Sequence, residues 1–383
     1  MNFYYWSPFI SNVATVKAVL NSAISIKKFS KKINPTIINV IGEWNQYQEI
    51  IKNNNINITN FRFNKNSYQN LPRYGFIRSR FSYLLISLKS VVSLYNFLSN
   101  KERDDYIILH LLTSLPLILI LMFNFKCRFI LRISGYPKLN FFRKTLWKLA
   151  KKKLYKVSTP TIDTKKMLIE KKIFDKDLIK LVRDPIVDIT QLNNLKKEKI
   201  EEELINPYLV TIGRLTKQKN HKFLINAFKV LKSKYHDLKL VILGDGELEL
   251  ELKKTSQYLG LSEDILFLGY KKNVFKYLKK SIAFILTSEW EDPGFVLIES
   301  AATQTTIISS NCKNGPKEFL AYGEAGYLYE KGDFNSFYKK FDEFYIDYKS
   351  QNNGIIYRKK LRALKEAKNY TKFNHFKEIL QLI

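Results

Sequence analysis

Cysteine is almost absent: the 383 residues contain two, Cys127 and Cys312, and neither sits in a metal or redox motif. A disulfide framework is therefore excluded, and a reducing compartment is expected. Glycine and proline are scarce, at 14 and 10 residues, which excludes a collagen-like or linker-dominated chain. No repeat of fixed period occurs. Met1–Phe9 lacks a basic segment followed by an apolar one, so no secretory signal is expected. The one Asp-x-Asp triplet, Asp175-Lys176-Asp177, lies in a polar turn rather than after a strand. No metal site is assigned to it, because hard cations need several converging oxygens.

What the chain has is apolar bulk and positive charge. Apolar residues make up 45%, enough for a globular protein, and the length suits two domains. The formal charge of +29, from 64 Lys+Arg against 35 Asp+Glu, implies anionic partners without naming them. One apolar stretch, Tyr106–Phe125, approaches the length of a membrane span. His110, Thr113, Ser114 and Pro116 interrupt it, so a buried strand followed by a helix with Ser114 as N-cap is expected.

The second half reads as short β-branched runs alternating with amphipathic stretches. Strands are expected at Tyr208–Ile212, Leu238–Leu243, Ile265–Leu268, Ile282–Thr287 and Thr306–Ser309. The first half shows similar runs at Ile37–Ile41, Tyr106–Leu111 and Arg128–Ile133. Such alternation means βαβ units on parallel sheets, with ligands beyond the carboxyl ends of the strands. The expected architecture is α/β, two doubly wound Rossmann-like domains facing across a cleft. The domains would be 1–190 and 205–356, joined by a polar connection over 184–206. A helical segment, 357–383, would pack back towards the first domain.

Four turns in the second half carry the chemistry. Gly213-Arg214-Leu215-Thr216-Lys217-Gln218-Lys219 sets two cations, Arg214 and Lys219, just past a strand end, where they suit a diphosphate. Gly244-Asp245-Gly246-Glu247 is a strand–helix turn whose glycines allow either a close ligand or a plain tight turn. After Ser288 comes a loop with three acids, Glu289, Glu291 and Asp292, and then Gly294 opens an apolar helix. Glu299 lies inside that helix, where a carboxylate is costly unless paired; the two hydroxyls of a ribose would serve. Glu291 stands where a donor sugar would reach, or else is an acid favoured by the helix dipole. In Asn314-Gly315-Pro316-Lys317-Glu318, Pro316 suits a first helical position and the free amides favour phosphate or sugar.

As a set, these segments resemble the donor domain of the retaining glycosyltransferases of GT-B fold, the family-four group. The pattern runs from Gly213-Arg214-Leu215 and Lys219 to Leu224-Ile225-Asn226-Ala227-Phe228, then through the Gly-Asp-Gly-Glu turn to Glu291 and Glu299, eight residues apart. It spans about Tyr208 to Asp333. The resemblance implies that Arg214 and Lys219 hold the diphosphate, Glu299 the ribose, and Glu291 the transferred sugar. Gly315, Pro316, Lys317 and Glu318 would line sugar and phosphate, the base would lie near the Gly244-Asp245-Gly246-Glu247 and Leu268–Tyr270 turns, and Gly213 would belong to the same donor-binding set. It also implies a nucleoside diphosphate sugar as donor, retention of configuration, and no metal or other cofactor. In the first half His110 matches a histidine that faces the donor sugar in relatives, although a core-satisfied histidine fits equally. Arg132-Ile133-Ser134-Gly135 occupies the next strand end, where a contact with acceptor or sugar is expected. Where relatives carry a glycine-rich loop, Ser7–Thr15 has no glycine, which leaves Asn12 without a role.

Lys138–Lys156 combines eight basic residues with Phe141, Phe142, Trp147 and Tyr155, the composition of a helix on an anionic membrane. An ordinary solvated lysine-rich face has the same composition. The expectation is a hexosyl- or N-acetylhexosaminyltransferase acting on a glycan or lipid-linked acceptor for capsule or lipopolysaccharide. It would be cytoplasmic and peripheral on the inner face of the plasma membrane. Three rivals stand beside it: a GT-B epimerase, which needs no acceptor; a lapsed binding subunit; and a basic nucleic-acid-binding protein. The last has no helix-turn-helix or zinc spacing to support it, so no nucleic-acid partner is expected.

Overall fold

The computed structural model describes residues 1–11, 14–61, 71–72, 76–204, 207–350 and 354–383. Asn12 lies outside the described residues. The chain divides into two units, 1–185 with 372–383, and 186–371.

Among the described residues, unit one holds seven strands: β1 (Asn2–Trp6), β2 (Asn34–Asn39), β3 (Asn57–Asn60), β4 (Asp105–Leu109), β5 (Arg128–Arg132), β6 (Lys156–Thr159) and β7 (Ile179–Leu181). They form one sheet in the order β3-β2-β1-β4-β5-β6-β7, and every pair is parallel. All five residues of β4 are buried, as a strand covered by helices on both faces requires. The sheet reverses direction of growth between β1 and β4, where the amide of His110 donates to the Trp6 carbonyl at 2.9 Å.

Unit two repeats the plan with β8 (Tyr208–Ile212), β9 (Lys239–Leu243), β10 (Ile265–Gly269), β11 (Ala283–Leu286), β12 (Ile307–Ser310) and β13 (Tyr327–Tyr329). Their order is β10-β9-β8-β11-β12-β13, again all parallel. Here the switch falls between β8 and β11, so the loops leaving Ile212 and Leu286 flank the natural ligand crevice of this unit. The architecture is thus two doubly wound parallel-sheet domains.

Three expectations are corrected. Tyr106–Phe125 does split into β4 and a helix, Ser114–Met122, but the N-cap is Thr113 and no side chain caps it. Pro116 stands at the third helical position and has no amide for a cap to accept from. The polar stretch 186–204 is packed on unit two: Glu202 accepts from Lys271 and, at 2.7 Å, from the Tyr277 hydroxyl. The C-terminal segment is shared. The helix Gly354–Ala367 packs on Phe295–Ala302 in unit two, whereas Lys372–Leu380 packs on Ala14–Phe29 in unit one. There the buried His375 meets the Ser22 hydroxyl at 2.7 Å.

One further element was not singled out from the sequence. The helix Phe76–Ser99 is long and apolar enough to cross a membrane by length and composition.

Candidate functional site

The loops after β8 and β11 are laced together at the switch point of unit two. The Glu289 amide donates to the Gln218 carbonyl at 2.8 Å, and Gln218 Nε2 donates to the Trp290 carbonyl at 2.9 Å. The Thr287 hydroxyl donates to the Lys219 carbonyl at 2.8 Å. Asn220, in the left-handed region at φ 49°, caps the helix His221–Lys234 and donates to Glu289 Oε1 at 2.7 Å.

Within this lacing Lys219 Nζ meets Glu291 Oε1 at 2.5 Å, and the Ser288 hydroxyl donates to the same oxygen at 2.6 Å. Glu291 is buried and Lys219 nearly so. Arg214 is exposed, and its guanidinium forms no ion pair among the described residues. One cation at this strand end is therefore committed to a carboxylate and the other is available to an anion.

The glycines divide by cause. A Cβ on Gly244 would sit 2.1 Å from the Gly213 carbonyl oxygen, and one on Gly246 would sit 2.5 Å from that of Leu215. These two turns are pressed together, with Leu215 N donating to the Asp245 carbonyl at 2.8 Å. Gly244 and Gly246 are thus required by backbone packing, while Asp245 lies exposed at the turn. Gly315, at φ 127°, is pressed against Pro293 in the same way: a Cβ there would sit 2.4 Å from the carbonyl oxygen. That contact ties the Gly315–Glu318 turn to the acidic loop, which the Glu291 amide also joins by donating to the Lys313 carbonyl at 3.1 Å. Pro316 opens the short helix Pro316–Phe319, with Lys317 exposed and Glu318 half-buried.

Gly294, at φ 93°, begins the helix Phe295–Ala302 without a side-chain cap, so its first amides are open to an anionic ligand. Glu299 lies half-buried in this helix. Four turns and one helix start therefore meet at one edge of the second sheet, as expected from the sequence.

One residue of this edge, His221, escaped the sequence reading, and Asn314 was read only as the first residue of its turn. His221 is buried beneath the Gly213–Arg214 backbone; burial first, and then the Lys219 charge, push its pKa down to about 4. It is a neutral prop for the arginine turn. Asn314 is buried at φ 64° immediately before Gly315, and its amide nitrogen has no hydrogen-bond partner among the described residues. An Asn-Gly pair in a turn was the only signal for it.

The unit-one candidates point inward. His110 is buried and bonded through Nε2 to the Ser134 hydroxyl; burial, and secondarily Arg132, push its pKa down to about 3. Arg132 is buried too, donating to the Val182 carbonyl and pairing with Asp184. The expected contact of Arg132 with acceptor or sugar is corrected: its guanidinium is spent on closing β5 against the chain after β7. In the basic–aromatic stretch, Trp147 turns inward onto Phe174 and Tyr155 onto Tyr106, leaving Phe141 and Phe142 exposed. Asp175 pairs with Lys151 at the surface.

With this geometry in view, known proteins place the chain. Residues 193–361 match the model of the family Glycosyl transferases group 1. An N-acetylgalactosaminyltransferase of Campylobacter jejuni, acting on N-acetylgalactosamine-N,N'-diacetylbacillosaminyl-diphospho-undecaprenol, is 38% identical over 149 residues. That match covers 39% of this chain and 40% of the relative. The chain spans about a third to two-fifths of the length of the first curated relatives it matches. A glycosyltransferase structure from Rickettsia africae superposes with TM-score 0.75 at 17% identity, covering 100% of this chain and 97% of the other. The Anabaena HepE structure with UDP-glucose superposes with TM-score 0.69 at 16% identity, covering 100% and 98%. At such identities these likenesses establish the fold, two parallel-sheet domains as in GT-B glycosyltransferases.

Proposed function

We propose that the protein is a retaining, metal-independent glycosyltransferase that moves a hexose or N-acetylhexosamine from a nucleoside diphosphate sugar to a glycan or lipid-linked acceptor. It works in cell-surface polysaccharide synthesis, on the inner leaflet, held peripherally by the basic stretch Lys138–Lys156. The observation that carries the donor assignment is the division of labour at the β8 end: an exposed Arg214 without an ion pair beside Lys219 paired to buried Glu291. The UDP-glucose of the Anabaena structure and the undecaprenyl diphosphate acceptor of the Campylobacter relative support these ligand classes.

In this reading the diphosphate lies against Arg214 and the open amides of Phe295–Ala302. As the anomeric bond breaks, negative charge grows on the leaving phosphate, and the preorganised guanidinium stabilises it. Lys219 adds charge from behind, its position set by Glu291, whose second oxygen faces the sugar hydroxyls. The spare amide of Asn314 donates to the same sugar, and Glu299 accepts from the ribose. His110 stays neutral throughout and orients rather than transfers a proton.

A thermal-shift panel of UDP, GDP, ADP and dTDP tests the donor site, followed by product analysis with the stabilising nucleotide's sugar. The reading falls if none of the four raises the melting temperature and Glu299→Ala changes nothing.

A further inference from the structure

The helix Phe76–Ser99 has two faces. Ser82, Ile86, Ser90, Leu94 and Leu98 recur every fourth residue and are buried against unit one. Phe81, Leu84, Leu88, Val92 and Tyr95 fall on the opposite side, within an arc of about 80° at 100° per residue, and all are exposed. Leu88 and Val92, at its middle, are 64% and 66% accessible. The apolar surface continues onto the neighbouring helix Ser114–Met122, where Tyr95 meets Phe123 at 4.8 Å between ring centres and Met122 is exposed. That helix packs in turn on Phe141–Ala150, which exposes Phe141, Phe142 and Leu149. Contiguous apolar surface of this extent marks a docking face.

Charge selects what docks. No acid lies between Glu49 and Glu102, nor between Asp105 and Asp163. The same helices carry Arg78, Arg80, Lys89, Arg143, Lys144 and Lys148. A second copy of this chain would set two acid-free cationic faces against each other, whereas a bilayer containing anionic lipid supplies both an apolar interior and the opposite charge. The helix cannot cross that bilayer, because Ile86, Leu94 and Leu98 belong to the packed core of unit one. It must lie in the plane of the interface.

We infer that unit one inserts the Phe81–Tyr95 stripe into the interface of an anionic bilayer, while the lysines and arginines of Phe141–Lys153 engage the headgroups. This rests on the peripheral reading given above and adds to it an apolar anchor on a different helix. Simple adsorption through Lys138–Lys156 is removed by salt; an inserted stripe is not.

The test is co-sedimentation of the full chain with phosphatidylcholine vesicles, with and without phosphatidylglycerol, at low and at molar salt. The parent should bind the anionic vesicles and keep a measurable fraction bound in molar salt. Leu88→Gln with Val92→Gln should lose that fraction and weaken low-salt binding at least ten-fold, with the melting temperature unchanged because both sites are exposed. Lys151→Ala, Lys152→Ala and Lys153→Ala together should lose the low-salt preference for anionic lipid and keep the salt-resistant fraction. Parental binding by the glutamine variant overturns the inference and leaves the peripheral reading standing, provided the lysine variant still releases the protein. No binding by the parent overturns both. A dimer in sedimentation velocity that the glutamine variant converts to monomer makes a second copy the occupant and also overturns it.

Discussion

Lys219 and Glu291 come from loops on the two sides of the β8–β11 switch and meet at 2.5 Å, and the Ser288 hydroxyl donates to the same carboxylate oxygen. A pair this enclosed holds two loops in register, so its members act on stability and on ligand geometry together.

Removing one member strands the other charge in a confined site. Lys219→Ala is expected to lower stability by about 3 kcal/mol, the cost of leaving a buried ion without its partner. Lys219→Met with Glu291→Leu should recover most of that in urea unfolding and recover none of the transferase activity.

Arg214 has the opposite profile. It is exposed and holds no structural ion pair among the described residues, so Arg214→Ala should leave the melting temperature within a degree or two of the parent. Turnover should fall about 100-fold or more, corresponding to ~3 kcal/mol for one preorganised donor at a leaving group. Single-turnover kinetics with the nucleotide sugar identified by the thermal-shift panel would measure it.

Gly244→Ala drives a methyl group to 2.1 Å from the Gly213 carbonyl oxygen, in a backbone conformation, φ 133°, that alanine rarely adopts. The arginine turn must shift. Nucleotide-induced stabilisation should disappear, alongside a loss of at least about 2 kcal/mol in global stability. By contrast, Gly332→Ala meets no atom within 4 Å and should cost only its φ strain.

Stability should also fall as the solution is acidified from neutrality. His110 and His375 are held down to about 3, and His221 to about 4, each chiefly by burial. Above pH 6.5 each is neutral in both states. Below it the unfolded chain takes up three protons that the folded chain refuses, so stability drops down to about pH 4, by up to ~1.4 kcal/mol per pH unit per histidine. Glu43, a buried carboxyl pushed up to about 7, works against this and offsets one of the three. Chemical unfolding at pH 7 and pH 5 would show the difference, and His375→Gln should make the curve shallower.

The convergence of turns at the β8–β11 edge was legible because the candidate residues lie in short contiguous segments, Gly213–Lys219, Glu291–Glu299 and Gly315–Glu318, and parallel topology brings strand ends together. The pairing of Lys219 with Glu291 was not legible, since nothing local says that residues 72 apart share an ion pair. Arg132 failed for the same reason, as its partner Asp184 lies 52 residues on. His110 was located at the correct strand end, but its inward orientation depends on Ser134 across β5. The Phe76–Ser99 helix was passed over because its two stripes differ only in burial. Leu94 and Val92 look alike in a sequence, and the fold alone decides which one faces the core.

The helix Lys372–Leu380 belongs to unit one although it follows the second unit in the chain. A growing chain therefore completes the second unit, contiguous from 186 to 371, while the first still lacks the helix that covers Ala14–Phe29. The usual order of folding, amino-terminal domain first, is reversed here. Until those twelve residues emerge, Ser22 and the Arg183 backbone wait for His375. A chain truncated before Lys372 should carry a protease-resistant second unit attached to a cleavable first unit.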